Sequence, residues 1–354
     1  MAVAEVRRHL NRIIADLHPG SAGLVMATGI VSTGLELFGR QVLSVLLLVV
    51  AAAGFVILLA GYAWRAIAYP RLVVADARDP GEGFGYFTLV AAANVLGLRL
   101  ALDHHLGATV VLGLASVPVW LLLTYAIPGE LIVGHRDQPV LPRTNGNWFL
   151  WVVGTQSLAA VAAAVAAQAG EPTTVLVPLS VALWGVGVVL YLMLIGLVTV
   201  RLLDSPVTPH ALSPTYWVYM GATAIIVLAA AKILALPTLL PVLVSTREVV
   251  SGIGFLLWAF GTWWIPLLLV FAVWRHVVGS APEGYEPGLW SVVFPLGMYA
   301  AASENFGLVT GMGFMVSIAR VEVWVGFAAW VAVAAVMGRS LVRRPGSRAR
   351  PAPR

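Results

Sequence analysis

Long apolar segments with almost no charge recur along the whole chain and constrain its fold more than any other feature. Of its 354 residues, 60% are apolar and 10% are charged, whereas an ordinary soluble domain carries about 25% charged residues. A soluble protein of this length could not bury so much apolar surface. Because a bilayer-spanning helix needs about 20 mainly apolar residues, the sequence predicts an all-α polytopic membrane protein.

Polar loops divide the chain into ten predicted transmembrane helices, which we number as spans. They cover residues 19–38, 41–66, 84–102, 107–133, 146–167, 174–200, 214–235, 247–275, 288–308 and 319–340. Three regions follow: a cytoplasmic amphipathic segment at 1–18, a transmembrane domain at 19–340, and a basic disordered cytoplasmic tail at 341–354. In the first region Leu10, Ile13 and Leu17 share one helical face, which is typical of a helix on a membrane surface. A frayed terminus is the alternative.

The basic residues predict how the chain is oriented. Sixteen lie on the side that holds both termini, and five lie on the other side. By the positive-inside rule both termini are cytoplasmic, which places the protein in the cytoplasmic membrane. An even number of spans is required for that arrangement, and ten satisfies it. The net charge of +5 therefore indicates orientation rather than binding to nucleic acid.

The odd-numbered spans share a pattern that the even-numbered spans lack. They read SAGLVMATGI, FGYFTLVAAANVLG, NWFLWVVGTQSLA, PTYWVYMGATAI and GLWSVVFPLGMYA. Four open with aromatic residues, and all five then pass through small or mildly polar residues. The equivalent points Met26, Ala91, Val153, Met220 and Phe294 are separated by 65, 62, 67 and 74 residues. The chain therefore reads as five tandem helical hairpins.

This alternation predicts five inner helices around a channel and five apolar outer helices. A lining of weak dipoles without charge suits the passage of ions better than their tight binding. The alternative is that small residues only let helices pack closely. The predicted pore-lining residues are Met26, Thr28, Gly29, Ala91, Asn94, Val153, Thr155, Gln156, Met220, Gly221, Thr223 and Gly297.

At these five segments the chain resembles the tellurite-resistance/dicarboxylate transporter family, which includes TehA-like proteins and the plant slow anion channels. The resemblance extends from about Pro19 to Ser340 and rests on MATGI, NWFLWVVGTQSLA, PTYWVYMGATAI and LWSVVFPLGMY. It implies five hairpins with pseudo-five-fold symmetry around a central pore, a homotrimer, and conduction of small inorganic or carboxylate anions. Independently of the resemblance, the residues predict no cofactor and no metal, because the chain has no cysteine and the adjacent His104 and His105 lack the spacing of a helical metal pair.

The resemblance also implies that a phenylalanine on span nine closes the pore. The matching residue is Phe294, directly before Pro295. Proline removes a backbone donor and can kink a helix, and a bulky ring in a narrow apolar neck gates by steric block and dewetting. A packing role for Phe294 is the alternative.

Charges at span ends suggest a vestibule for anions. Lys232 continues span seven towards the outer mouth, and with Arg99 on span three it would raise the local concentration of anions. The alternative is that such side chains extend to the membrane interface. Pro19, Pro214 and Pro287 lie where odd spans begin, so free N–H groups there would also favour negative ions.

Two other functions stay open. The first is a proton-coupled C4-dicarboxylate carrier, or a tellurite or sulfite carrier; it requires a titratable group in the path, and Glu304 is the remaining candidate. The second is a membrane-embedded enzyme for lipid-linked substrates, for which Asp76 and Asp79 in the loop after span two are the only acidic cluster. Stretch 81–85 is glycine-rich, but a solvated loop is favoured there over a phosphate loop. The sequence favours transport and no enzymatic activity.

Overall fold

A computed structural model describes residues 2–134, 139–169, 175–204, 208, 212–237, 240–278 and 284–342. Its α-helices are α1 (Ala2–Ala15), α2 (Gly23–Leu37), α3 (Gln41–Ala68), α4 (Pro70–Arg78), α5 (Phe87–Leu102), α6 (Leu106–Val133), α7 (Phe149–Gln168), α8 (Leu176–Asp204), α9 (Val218–Leu234), α10 (Pro241–Val273), α11 (Trp290–Thr310) and α12 (Gly313–Val342). Within the described residues, ten helices are long and apolar enough to cross a membrane. The predicted all-helical membrane fold is confirmed, and most of the predicted tail lies outside the described residues.

The spans alternate between buried and exposed helices. In the odd spans, 72–94% of the residues in the most apolar stretch are buried, compared with 11–39% in the even spans. Helices that face lipid need only apolar side chains, whereas helices that face other helices need small residues for close contact. The predicted division into inner and outer helices is therefore present in the structure.

The five inner helices form a closed ring. Each of α2, α5, α7, α9 and α11 contacts the next, and α11 returns to contact α2. Each inner helix is followed in the chain by an outer helix that packs against it, so the chain folds as five tandem hairpins. The ring defines an axis, and pseudo-five-fold symmetry about that axis stays a prediction.

Each inner helix begins with a short 3₁₀ turn. The turns are Pro19–Ala22, Gly83–Tyr86, Gly146–Trp148, Pro214–Trp217 and Pro287–Leu289. Consecutive turns contact one another, and the last contacts the first. Three begin with proline, as predicted, because a first helical position needs no N–H donor. We call this ring of five turns the inner mouth.

Several boundaries differ from the prediction. Helix α10 begins at Pro241 and not at 247, because a proline suits the first turn of a helix. Helix α12 begins at Gly313, after Gly311 ends α11 with a φ of 75°. Two predicted loops are also structured, since residues Pro70–Arg78 form α4 and the turn Gly83–Tyr86 is buried.

Candidate functional site

Phe294 lies on the face of α11 that is directed towards the axis of the helix ring. Tyr299 Oη lies 2.7 Å from Thr262 Oγ1, and Ser303 Oγ accepts a hydrogen bond of 2.8 Å from Trp258 Nε1, so this side of α11 faces the outer helix α10. With 3.6 residues per turn, Phe294 projects from the opposite side. The phenylalanine ring is therefore directed away from the outer wall.

Contacts of Pro295 and Gly297 with the two helices that flank α11 determine the direction of the Phe294 side chain. A Cβ placed on Gly221 of α9 would lie 2.8 Å from Pro295 Cγ, so Pro295 faces α9. A Cβ on Gly297 would lie 3.0 Å from the side chains of Ile30 and Val31, so Gly297 faces α2. Since α9 and α2 flank α11 in the ring, the direction between them is the axis.

The ring is closed to solvent at the level of Phe294. Met26, Ala91, Val153, Met220 and Phe294 are each 0% exposed. On α2, Met26 projects from the side opposite Thr28, which contacts α12. On α9, Met220 faces the outer helix α10, so Gly221 and not Met220 lies on the axial side. The interior of the helix ring is therefore filled by buried side chains at this level.

Two of the predicted lining threonines bind indole groups of outer helices. Trp330 Nε1 on α12 donates to Thr28 Oγ1 at 2.9 Å. Trp120 Nε1 on α6 donates to Thr155 Oγ1 at 3.0 Å. Each hydroxyl also donates to a carbonyl one turn earlier in its own helix. These groups hold the outer wall to the inner ring.

Gln156 and Thr223 are also directed outward. Gln156 Nε2 donates to Trp184 O at 2.8 Å on α8, and Thr223 Oγ1 packs against Gly261 on α10. Gly29, another predicted lining residue, packs against Val95 of α5. A pore-lining role for these residues stays a prediction, and their contacts lie between helices.

Asn94 joins three helices. Its Nδ2 donates to Ser157 Oγ on α7 at 2.9 Å, and its Oδ1 accepts from Ser116 Oγ on α6 at 3.1 Å. An amide buried in a helical bundle requires such partners because an unpaired polar group there is costly. The amide is thus engaged at the boundary between two inner helices and an outer one.

Lys232 is the predicted vestibule residue that lies on the axial side. It follows Gly221 and Leu228 along one stripe of α9, opposite the contacts of Ala230 with α10. Lys232 Nζ donates to Asn305 Oδ1 at 2.8 Å, and Asn305 shares the axial stripe of α11 with Phe294. The pair therefore connects two inner helices on the outer side of Phe294.

Arg99, the other predicted vestibule residue, is enclosed between helices. Its guanidinium is 0% exposed and lies 2.8 Å from both Glu36 and Asp103. It also donates to the hydroxyls of Ser32 and Ser44 at 3.1 Å. A buried cation needs carboxylate partners, and this arrangement joins α2, α3 and α5 instead of presenting a charge to the outer mouth.

The acidic residues after span two are held in ion pairs. Asp76 Oδ2 lies 2.7 Å from Arg65 Nη1, and Asp79 pairs with Arg143. In the part of the chain that the structure describes, no three His, Asp or Glu side chains are placed to hold a metal ion. Both carboxylates are therefore engaged by arginine side chains.

Sequence reasoning missed Asn305 and the Arg65 contacts. Asn305 reads only as an interruption of span nine, and its signal is its position eleven residues after Phe294, on the same helical stripe. Arg65 reads as a basic residue at a span end, and nothing in its own span indicates that it contacts α1, α4 and Tyr86.

Comparisons with known proteins agree with this architecture. A sequence model described as "Voltage-dependent anion channel" matches residues 16–337. An uncharacterized transporter of Methanocaldococcus jannaschii is 25% identical over 323 residues, covering 85% of this chain and 88% of the relative. A second from that organism is 24% identical over 274 residues, covering 75% and 76%. An uncharacterized membrane protein of Mycobacterium tuberculosis is 43% identical over 159 residues, covering 43% and 80%.

Proposed function

This chain belongs to the voltage-dependent anion channel family, and on that premise we propose that it conducts small anions passively along the axis of its inner ring, with Phe294 as the gate. The observation that carries the proposal is the fully buried Phe294 ring on the axial side of α11. Met26, Ala91, Val153 and Gly221 line the neck in this proposal.

Opening requires the Phe294 ring to move aside. Pro295 supplies no backbone N–H to the helix, so the turn around it is held by one hydrogen bond fewer and can bend. Displacing the ring widens and wets the apolar neck. The edge of an aromatic ring carries partial positive charge, which tolerates a passing anion.

Anion preference has two sources in this proposal. At the inner mouth, five helix N-termini gather, and their N–H groups and dipoles favour negative charge. On the outer side of Phe294, the Lys232 ammonium supplies a positive charge at the axis. Neither source has the geometry of a tight site, which suits conduction.

The setting of the channel is part of the same proposal. It lies in the cytoplasmic membrane with both termini in the cytoplasm and works as a homotrimer with one pore per subunit. The segment at 1–18 rests on the cytoplasmic surface of the bilayer, and the transmembrane domain is 19–340. Small inorganic anions are the favoured substrates.

The test is anion flux into liposomes that contain the purified protein, with chloride, nitrate and malate as probes. We expect the wild type to be nearly closed and Phe294→Ala to conduct chloride and nitrate at least about ten-fold faster, because removing the ring opens the neck. Equal flux through wild type and Phe294→Ala, in protein of equal stability, would contradict the proposed gate.

Phe306→Ala is the matched control. Phe306 lies on the same helix and is also 0% exposed, but its ring packs against Gly254 of the outer helix α10. Both variants lose a buried phenyl ring, which costs about 3–5 kcal/mol. If Phe306→Ala conducts as strongly as Phe294→Ala, loosened packing explains the flux and the gate is excluded.

Proton-coupled C4-dicarboxylate transport is the second candidate, supported by one observation. Glu304 lies on α11 with 8% exposure, and its Oε2 has no hydrogen-bond partner among the described residues. A carboxyl group in that position can take up and release a proton during transport. Malate uptake that follows a proton gradient and is lost in Glu304→Gln, without chloride flux, would favour this candidate. Tellurite or sulfite would be tested in the same way.

A further inference from the structure

The helices α1 and α4 lie beside the inner mouth and have a surface that the channel proposal does not use. We propose that α1 and α4 form a docking surface for anionic phospholipids. In this proposal Arg65, which contacts both helices and Tyr86, transmits the movement caused by docking to the inner mouth. The effect on flux rests on the proposed function, whereas lipid docking itself does not.

Helix α1 has an apolar side that only partly contacts the protein. Ile14 on this side, together with Leu17 just after the helix, packs against Gly61 of α3. Leu10 and Ile13 continue the same side and are 40% and 50% exposed. Arg7 and Arg12 are exposed on the same helix. An exposed apolar side with arginines around it fits a bilayer surface that carries negative charge.

Helix α4 repeats this composition in the loop between α3 and α5. Leu72 and Val74 are 42% and 47% exposed, and Arg71 is exposed between α3 and these residues. Arg78 at the end of the helix lies 2.9 Å from Glu130 of α6. The helix is nine residues long, too short to cross a bilayer, so an interfacial position is the one that its side chains satisfy.

Arg65 connects both surface helices to the inner ring. Its Nε donates to Ala15 O at the end of α1 at 3.1 Å. Its Nη1 lies 2.7 Å from Asp76 Oδ2 on α4 and donates to Tyr86 Oη at 2.9 Å. The side chain is buried, so movement of α1 or α4 changes the partners of one enclosed cation.

Tyr86 belongs to a turn that is locked to its neighbour in the inner mouth. A Cβ on Gly85 would lie 3.0 Å from Gly20 N, so the turns that begin α5 and α2 touch at their backbones. Tyr62 lies on α3 about one helical turn before Arg65, and its Oη donates to Pro19 O at 2.8 Å. A shift of Tyr86 therefore moves the starts of two of the five helices that surround the axis.

The partner is identified by charge and position. An anionic leaflet attracts each nearby arginine by about 1 kcal/mol, which is about a five-fold gain in partitioning per residue. Arg7, Arg12 and Arg71 would contribute this attraction, while the four exposed apolar side chains enter the acyl boundary. A zwitterionic leaflet supplies the apolar contact without the attraction.

Docking can be measured without ion flux, because the chain contains no cysteine. Ile13→Cys in the full-length protein is labelled with nitrobenzoxadiazole and reconstituted in phosphatidylcholine vesicles with or without an equal part of phosphatidylglycerol. We expect blue-shifted emission and stronger quenching by nitroxide lipids when phosphatidylglycerol is present. The added Arg7→Gln and Arg12→Gln changes should weaken docking about 25-fold.

The matched control is the same label at Ile57→Cys. Ile57 is 70% exposed near the middle of the spanning helix α3, so its environment should not depend on lipid charge. An Ile13 label that responds equally to both vesicle types, or that responds fully after loss of both arginines, would overturn docking.

Coupling is tested by chloride flux in the same two vesicle types. We expect at least a two-fold higher wild-type flux with phosphatidylglycerol, because docking draws α1 and α4 outward and loosens the inner mouth. Tyr86→Phe, which removes the hydroxyl bound to Arg65, should keep the label response and lose the flux ratio. A ratio of one in the wild type, or an unchanged ratio in Tyr86→Phe, would overturn the coupling. Absence of flux even in Phe294→Ala would overturn the channel proposal and its coupling, while the label still decides docking.

Discussion

At the residue scale, the proposed channel assigns Lys232 a specific role, in which its positive charge attracts a passing anion. Its ammonium donates a hydrogen bond to Asn305 Oδ1 of α11 at 2.8 Å, on the axial side of the helix ring. We expect Lys232→Gln in the Phe294→Ala background to lower chloride conductance about ten-fold, the lower end of electrostatic focusing. Preference for anions over cations should also fall.

Two comparisons make this expectation specific. Arg40→Gln removes an equally positive charge at the exposed Arg40, which lies over the Trp324 ring at 5.6 Å on the periphery, and should leave conductance unchanged. Asn305→Ala removes the hydrogen-bond acceptor of Lys232 but keeps the positive charge of its ammonium, so conductance should be retained. Single-channel recording at low salt measures all three, because screening weakens the effect of a surface charge at high salt. Unchanged conductance in Lys232→Gln would exclude an axial role.

At the element scale, ring closure depends on helices that approach closely. Gly221 meets Pro295 where α9 and α11 pack together. We expect Gly221→Ala to lower the free energy of unfolding by about 1–3 kcal/mol, since overpacking forces side chains or backbone to move. Thermal unfolding in detergent measures the loss. Pro295→Ala should restore part of it in the double variant, because the Cγ atom that the new methyl group meets is then absent.

Gly185→Ala is the control for this effect. Gly185 lies in the outer helix α8, and a Cβ placed there meets nothing within 4 Å. Alanine is favoured over glycine in a helix by about 1 kcal/mol, so this variant should be as stable as the wild type or more stable. A Gly221→Ala variant as stable as Gly185→Ala would show that the contact with Pro295 relaxes without cost.

The helices were predictable from sequence, and the directions of their polar residues were not. The alternation of buried and exposed spans follows from the small and polar residues of the odd spans, which the sequence shows around Thr28 and Thr155. Sequence does not show that these hydroxyls turn outward to Trp330 and Trp120, because a helix places side chains on every side and the neighbours are distant in the chain. Helix α4 was missed because nine mixed residues carry no spanning signal.

At the scale of the whole molecule, the family match confirms the resemblance to TehA-like proteins and plant slow anion channels. It extends over all ten spanning helices, so it concerns the complete ring and not one motif. The ring also explains why charge is scarce in this chain: ion pairs such as Arg99 with Glu36 lie between helices, where each cation has carboxylate partners. On the axial side of the helix ring, Lys232 is instead paired with the uncharged Asn305.

Orientation is the remaining property of the whole molecule, and it decides from which side anions meet the five helix N-termini. The sequence assigns sixteen basic residues to the side that holds both termini and five to the other side. We therefore expect the inner mouth to face the cytoplasm. Leu341→Cys, 75% exposed at the end of α12, and Ala235→Cys, exposed beyond α9, mark the two ends. The native chain has no cysteine to interfere.

Intact cells separate the two orientations when treated with a maleimide that does not cross membranes. We expect it to react with Ala235→Cys in intact cells and with Leu341→Cys only after the membrane is opened. Ile57→Cys, exposed near the middle of the spanning helix α3, should stay unreactive in both conditions. Reaction of Leu341→Cys in intact cells would reverse the assignment. The helix dipoles would then favour anions arriving from outside, and the docking surface of α1 and α4 would meet the outer leaflet.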